Sequence, residues 1–132
     1  MANLRVVVVT PERAVLDEPV ESVVLPMFDG ERGILTDHAA FVGQLAPGEL
    51  RLTTGAGARR FYIDSGFVQV DGNTVNVLTA RAVSADKITP DVVAKARADA
   101  ELLPAGTPLE RENRTKALAR AAGMAKAAGA VQ

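Results

Sequence analysis

The chain has 132 residues, 48% of them hydrophobic, which is enough for one ordinary domain with a small appendage and argues against wholesale disorder. Fifteen Lys and Arg against sixteen Asp and Glu leave a net charge of −1, whereas a general nucleic-acid binder needs a basic face to displace phosphate counterions. The absence of cysteine excludes a disulfide framework, a thiolate nucleophile and a cysteine zinc site. The single histidine, His38, excludes a multi-histidine metal centre, and with no tryptophan and one tyrosine there is little to stack single-stranded nucleic acid. No run approaches the ~20 apolar residues of a membrane span, and the valines before Thr10 are too few for a signal-peptide core. A soluble, unprocessed chain is expected.

In chain order, Leu4 to Val9 reads as a strand buried on both faces, ended by Pro11. Glu21 to Phe28 reads as a second strand, with Pro26 marking an edge or bulge. Arg60 to Asp64 precedes the clearest signal, Phe67 to Leu78. There Val68 and Val70 alternate with Gln69 and Asp71, and Val75 and Val77 flank Asn76. Asp71-Gly72-Asn73 between them supplies the residues of a tight hairpin turn. Further turn signals at Asp29-Gly30, Pro47-Gly48, Gly55-Ala56-Gly57 and Ser65-Gly66 space the strands as in a β-sandwich or barrel.

Composition breaks near Lys87. Residues 1–87 hold 14 of 17 valines, and residues 88–132 hold 13 of 23 alanines, so a sheet should give way to helices. Two domains are expected, 1–87 and 88–132. Thr89-Pro90-Asp91 is a helix start, with Thr as N-cap, Pro at the first helical position and Asp at the positive end of the dipole. Val92, Ala96, Ala100 and Leu103 would form its apolar face. Residues 104–108 break it, and a second helix should run from Leu109 to about Ala128. Its apolar face is mostly alanine; Leu118, Met124 and Val131 are the larger apolar residues after Leu109. Gly123 and Gly129 cost about 1 kcal/mol each relative to alanine. Either the two helices pack closely along small residues, or the hairpin leaves the sheet. Residues 109–132 carry Arg111, Arg114, Lys116, Arg120 and Lys126 against Glu110 and Glu112, a basic segment on an otherwise acidic chain.

The most specific segment is Gly30-Glu31-Arg32-Gly33-Ile34, followed by His38-Ala39-Ala40-Phe41, then Leu45-Ala46-Pro47-Gly48 and Arg51. The glycines allow tight turns about an exposed Glu-Arg pair, and His38 is placed at a strand end. No serine or carboxylate stands at a spacing that would make His38 catalytic, so an enzyme built on Asp37-His38 has little support. These motifs, with Ser65-Gly66-Phe67-Val68-Gln69-Val70 and Val75 to Ala80, resemble the epsilon subunit of F-type ATP synthases, the counterpart of the mitochondrial delta subunit. The resemblance covers Leu4 to about Leu103.

The resemblance implies a flattened sandwich of about ten strands and a C-terminal antiparallel helical hairpin. It also implies a non-catalytic subunit at the foot of the central stalk of a proton-translocating synthase. Such a subunit joins the gamma subunit to the ring of c subunits on the cytoplasmic face of a bacterial plasma membrane, held there through the complex. Asp29, Gly30, Glu31 and Arg32 would then face the ring, and His38, Ala39 and Phe41 would face gamma. Arg111, Arg114, Lys116 and Arg120 are candidates for inhibitory contacts to beta and alpha subunits by an extended hairpin. In relatives that bind ATP, acidic and basic groups stand where this chain has Val83, Thr89 and Val92, so no nucleotide, cofactor, metal or nucleic acid is expected. Self-association is not expected either. The alternative is a freestanding ligand-binding β-sandwich with a helical tail.

Overall fold

The structure is a computed structural model that describes residues 4–129. Ten strands precede the helices: β1 (Leu4–Val9), β2 (Ala14–Val20), β3 (Ser22–Met27), β4 (Gly30–Ile34), β5 (Phe41–Leu45), β6 (Gly48–Thr54), β7 (Gly57–Ile63), β8 (Gly66–Asp71), β9 (Thr74–Leu78) and β10 (Ala82–Ser84). A single 3-10 turn, Ala85–Lys87, leads into α1 (Pro90–Glu101) and α2 (Pro108–Ala127).

The strands join in the order β10-β7-β6-β3-β5-β8-β9-β1-β2, with β4 on the other flank of β3. All pairs are antiparallel except β1 with β9. The sheet curls back so that Arg59 of β7 meets Glu18 of β2 at 2.7 Å. The result is the flattened sandwich of ten strands. Inward residues of nearly every strand fill its core, among them Val6, Val20, Leu25, Leu50, Ile63 and Val75. Pro26 causes no break because β3 changes partner there. Val24 still pairs with Arg51 of β6, Met27 already pairs with Leu45 of β5, and the Pro26 carbonyl accepts from the Ala46 amide at 2.8 Å. The missing N–H therefore falls where no continuous ladder needs it.

Three readings need correction. Gly30 and Gly33 do not turn the chain about Glu31-Arg32: both charged residues lie on β4, paired with Pro26 and Leu25 of β3, and the turn falls at Phe28-Asp29. β2, with charges at Asp17 and Glu18 and a proline at 19, carries little apolar signal and was not anticipated. β1 is buried on one face only: Leu4, Val6 and Val8 point inward, whereas Arg5 and Val9 are exposed. The hairpin packs on β6 and β7, away from the outer face of β1.

That hairpin makes a second core. In β7, Phe61 and Ile63 face the sandwich interior. Tyr62 points the other way, into a cluster with Ile88, Val93, Met124, Ala125 and Ala127. Thr89 caps α1 through its hydroxyl, which accepts from the Val92 amide at 3.3 Å. The buried positions of α1 are Val93 and Ala100, with Ala96 partly buried; Val92 and Leu103 are each 38% exposed, so the apolar face is rotated from the expected one. Positions 93, 96 and 100 fall on one side of a 3.6-residue helix, and Val92 lies a quarter turn off it. Thr107 and Glu110 form a reciprocal capping box at the start of α2. Leu118 is half-buried, and Val131 lies outside the described residues.

The seam between α2 and the sandwich is built of small residues: Ala121, Gly123, Ala125 and Ala127 are buried along with Met124. Gly123 has a packing role that the propensity argument misses. A Cβ there would lie 2.7 Å from the Pro47 carbonyl carbon and 2.9 Å from the Gly48 nitrogen, so α2 rests directly on the β5–β6 turn. Only glycine permits that approach.

Candidate interaction surface

Phe28 and Asp29 form the two-residue loop between β3 and β4, since Met27 pairs with Gly30. The loop projects from the sandwich, and the Phe28 ring is 73% exposed. Gly30, Glu31 and Arg32 follow on β4, all exposed. After Ile34 turns into the core, the chain runs in a loop to β5; His38 lies within that loop, four residues beyond the strand end where it was expected. Phe41 opens β5 and is half-buried against the core.

The structure brings the two sets of candidate residues together. The Arg32 guanidinium lies over the Phe41 ring, 4.9 Å from its centroid, and the His38 ring sits 5.3 Å from the same centroid. Cation–π attraction at such an exposed site is worth about 0.5–1 kcal/mol, enough to bias the Arg32 rotamer. Ala39 is exposed beside them. One continuous surface thus runs from Phe28 through Arg32 to His38. The His38 Nδ1 meets the Ala39 carbonyl oxygen at 2.8 Å. Among the described residues no group of three potential metal ligands occurs, and no helix is long and apolar enough to cross a membrane.

Sequence reasoning missed an adjoining apolar face. On the outer side of β8, β9 and β1, Phe67 pairs with Leu78, and Leu78 pairs with Val9. These residues are 59%, 53% and 36% exposed, and Val42 of β5 is 73% exposed. The signal was present in the alternation itself. Phe67 and Leu78 fall on the polar phase of Gln69 and Asn76, where a solvated face would not place them. Exposed apolar surface of this kind, continuous across strands, marks a contact site.

Four of the basic residues of α2 are already engaged within the docked hairpin or with the sandwich. Arg120 pairs with Asp64 at 3.2 Å, Lys116 with Glu112 at 3.6 Å, and Arg111 donates to the Ala105 carbonyl at 3.3 Å. Arg114 is half-buried. Lys126 reaches Glu31 at 3.0 Å, which ties the end of α2 to the candidate ring-facing residues of β4. Glu49, 4% exposed, accepts from Arg51 and Arg60 beneath the same helix end. Val83 packs against the second core, and Thr89 is committed to capping α1.

Tyr62 sits beneath the docked hairpin, and its hydroxyl is the buried side-chain polar atom without a hydrogen-bond partner among the described residues. Burial pushes its pKa up; the Asp64 carboxylate adds to this, while Arg120 and Arg81 oppose it. The folded protein therefore holds the proton where the unfolded chain releases it. Stability from this group is complete below the ordinary tyrosine value of about 10 and falls as pH rises beyond it, by up to about 1.4 kcal/mol per pH unit. Urea unfolding between pH 9 and 11 should show that decline, and Tyr62→Phe should flatten it.

A ten-stranded sandwich joined to a helical hairpin, with an exposed apolar strip running across its strands, has the form of a protein-binding module. The family model for the ATP synthase delta/epsilon chain, beta-sandwich domain, matches residues 3–85. An ATP synthase epsilon chain of Rhodopirellula baltica is 43% identical over 125 residues, covering 95% of this chain and 98% of that one. Another, from Symbiobacterium thermophilum, is 39% identical over 136 residues, covering 99% and 96%. Among solved structures, a chain of the Euglena gracilis mitochondrial ATP synthase, determined with its F1 and c-ring, superposes with a TM-score of 0.83 at 26% identity over 94% of this chain and 80% of that one. The chain belongs to the ATP synthase epsilon-chain family and is a non-catalytic stalk subunit.

Proposed function

We propose that this chain couples the c-ring to the gamma subunit, residues 1–87 making both contacts and residues 88–132 modulating ATP hydrolysis. The observation that carries the reading is the continuous surface from Phe28 through Arg32 and Phe41 to His38, beside the exposed apolar strip of Phe67, Leu78 and Val9. Asp29, Gly30, Glu31 and Arg32 face the polar loops of the ring, where an acidic side chain fixes register more than affinity. His38, Ala39, Phe41 and the apolar strip face gamma. A sandwich core packed at crystal-like density suits the transmission of torque, because it deforms little under load. The chain works at the cytoplasmic face of a bacterial plasma membrane, held there through the complex.

Pull-down from membranes of the native source tests this reading: gamma and c subunits should be recovered with the chain. Recovery of neither would favour a freestanding ligand-binding sandwich. For the hairpin, deleting residues 105–132 should raise ATP hydrolysis by the assembled complex, because Arg111, Arg114, Lys116 and Arg120 would no longer be available to acidic segments of beta and alpha. An unchanged rate would remove the hairpin from regulation. Nucleotide is not part of the reading: Val83 and Val92 carry no charge to meet phosphate, and calorimetric titration of the isolated chain with millimolar ATP should show no saturable binding.

A further inference from the structure

The loop that presents His38 is held by a contact from a distant part of the chain. The Asp37 amide donates to Asn73 Oδ1 at 2.6 Å, and Asn73 Nδ2 donates back to Asp37 Oδ1 at 3.2 Å. Both residues occupy the left-handed region, Asp37 at φ 67° and Asn73 at φ 64°. Asparagine and aspartate tolerate that conformation better than other side-chain-bearing residues. Asn73 gains it as the second turn residue of the β8–β9 hairpin, after Gly72 at φ 57°. Its carbonyl accepts from the Arg5 amide at 2.9 Å, which anchors the hairpin tip to β1. The clip therefore transfers the rigidity of the β1–β9–β8 sheet to a loop with no ladder of its own. Within that loop the His38 amide donates to the Leu35 carbonyl at 3.2 Å, and His38 packs on Phe41.

We propose that Asp37 and Asn73 are positioning residues, a two-bond clip that holds the His38–Phe41 segment in the geometry its partner recognises. The inference rests on the assignment of that segment to the gamma contact. Both bonds are exposed, so they add little to the stability of the whole sandwich. Their effect falls on the loop, which without them would have to be ordered during binding, at a cost in affinity.

Charge exchange within the clip tests the proposal in the full chain. Asn73→Asp sets two carboxylates against each other and breaks the return bond. Asp37→Asn with Asn73→Asp restores a donor and an acceptor in reversed order, with both residues still suited to left-handed backbone. Asn73→Asp should weaken binding to purified gamma subunit about fivefold or more. Amides of residues 35–42 should exchange faster with deuterium in the free chain, with the melting midpoint little changed. The double variant should recover both affinity and protection. Wild-type binding to gamma that survives Asn73→Asp unchanged would overturn the clip and leave the gamma assignment standing. Absence of wild-type binding to gamma would overturn both.

Discussion

Gly66→Ala should destabilise the sandwich by upwards of about 4 kcal/mol and lower its melting midpoint by roughly 10–20 °C, the largest effect expected of any single methyl group in this chain. Gly66 opens β8 at φ 132°, a conformation that side-chain-bearing residues rarely adopt. A Cβ placed there would lie 2.0 Å from the Leu78 carbonyl oxygen and 2.9 Å from the Thr79 Cα. Both obstacles are backbone, so neither can rotate away. The Thr79 hydroxyl further binds this corner, donating to the Ser65 carbonyl. The crossing at Gly66 fixes the register of β8 on β9, and thereby the alignment of Phe67 with Leu78 on the outer face. Thermal unfolding followed by circular dichroism checks the expectation. A midpoint within two or three degrees of wild type would mean the corner can open without cost.

Gly123→Ala should have a different signature: helix content kept or raised, but the hairpin released from the sandwich. Alanine favours helix over glycine by about 1 kcal/mol, so an isolated α2 would be improved. The docked α2 cannot accept the methyl group, because the Pro47 carbonyl carbon and oxygen would stand 2.7 and 2.8 Å from it. Losing the seat at Pro47–Gly48 also loosens the neighbouring ion pairs, Lys126 with Glu31 and Arg120 with Asp64. Exposed pairs of this kind contribute about 0–1 kcal/mol each and do not hold the helix by themselves. The chain carries its own reporter, since Tyr62 is the sole tyrosine, no tryptophan competes with it, and the docked hairpin covers it. Tyrosine fluorescence in Gly123→Ala should become accessible to iodide while the sandwich melts as before. Continued protection of Tyr62 would show that the seam accommodates the methyl group.

Much of this architecture is legible in the sequence, for identifiable reasons. The hairpin at Asp71-Gly72-Asn73 announces itself because turn chemistry and period-two alternation agree. Thr89-Pro90-Asp91 marks α1 because a cap, a first-turn proline and a favourable charge coincide. β2 does not show, since a strand reading Ala14–Val20 with two acids and a proline is placed by its neighbours and not by its own propensity. The role of Gly123 is hidden for a related reason: helix propensity registers its cost, while its benefit exists only once Pro47 lies beneath it. The motif Gly30-Glu31-Arg32 reads as an exposed turn, whereas the structure sets it on β4 next to the Phe28-Asp29 loop. That Arg32 reaches Phe41, and Glu31 reaches Lys126, depends on tertiary closeness that spacing along the chain does not encode. The outer apolar strip was written in the alternation at Phe67 and Leu78, whose phase opposes that of the core valines.

Mechanical coupling by a subunit that carries out no covalent chemistry is the central claim. It is tested most directly by ATP-driven ion pumping in vesicles holding the synthase assembled without this chain, before and after the purified chain is added back. ATP hydrolysis without pumping at first, and pumping restored on addition of the wild-type chain, is the predicted result. Full pumping in its absence would contradict the account.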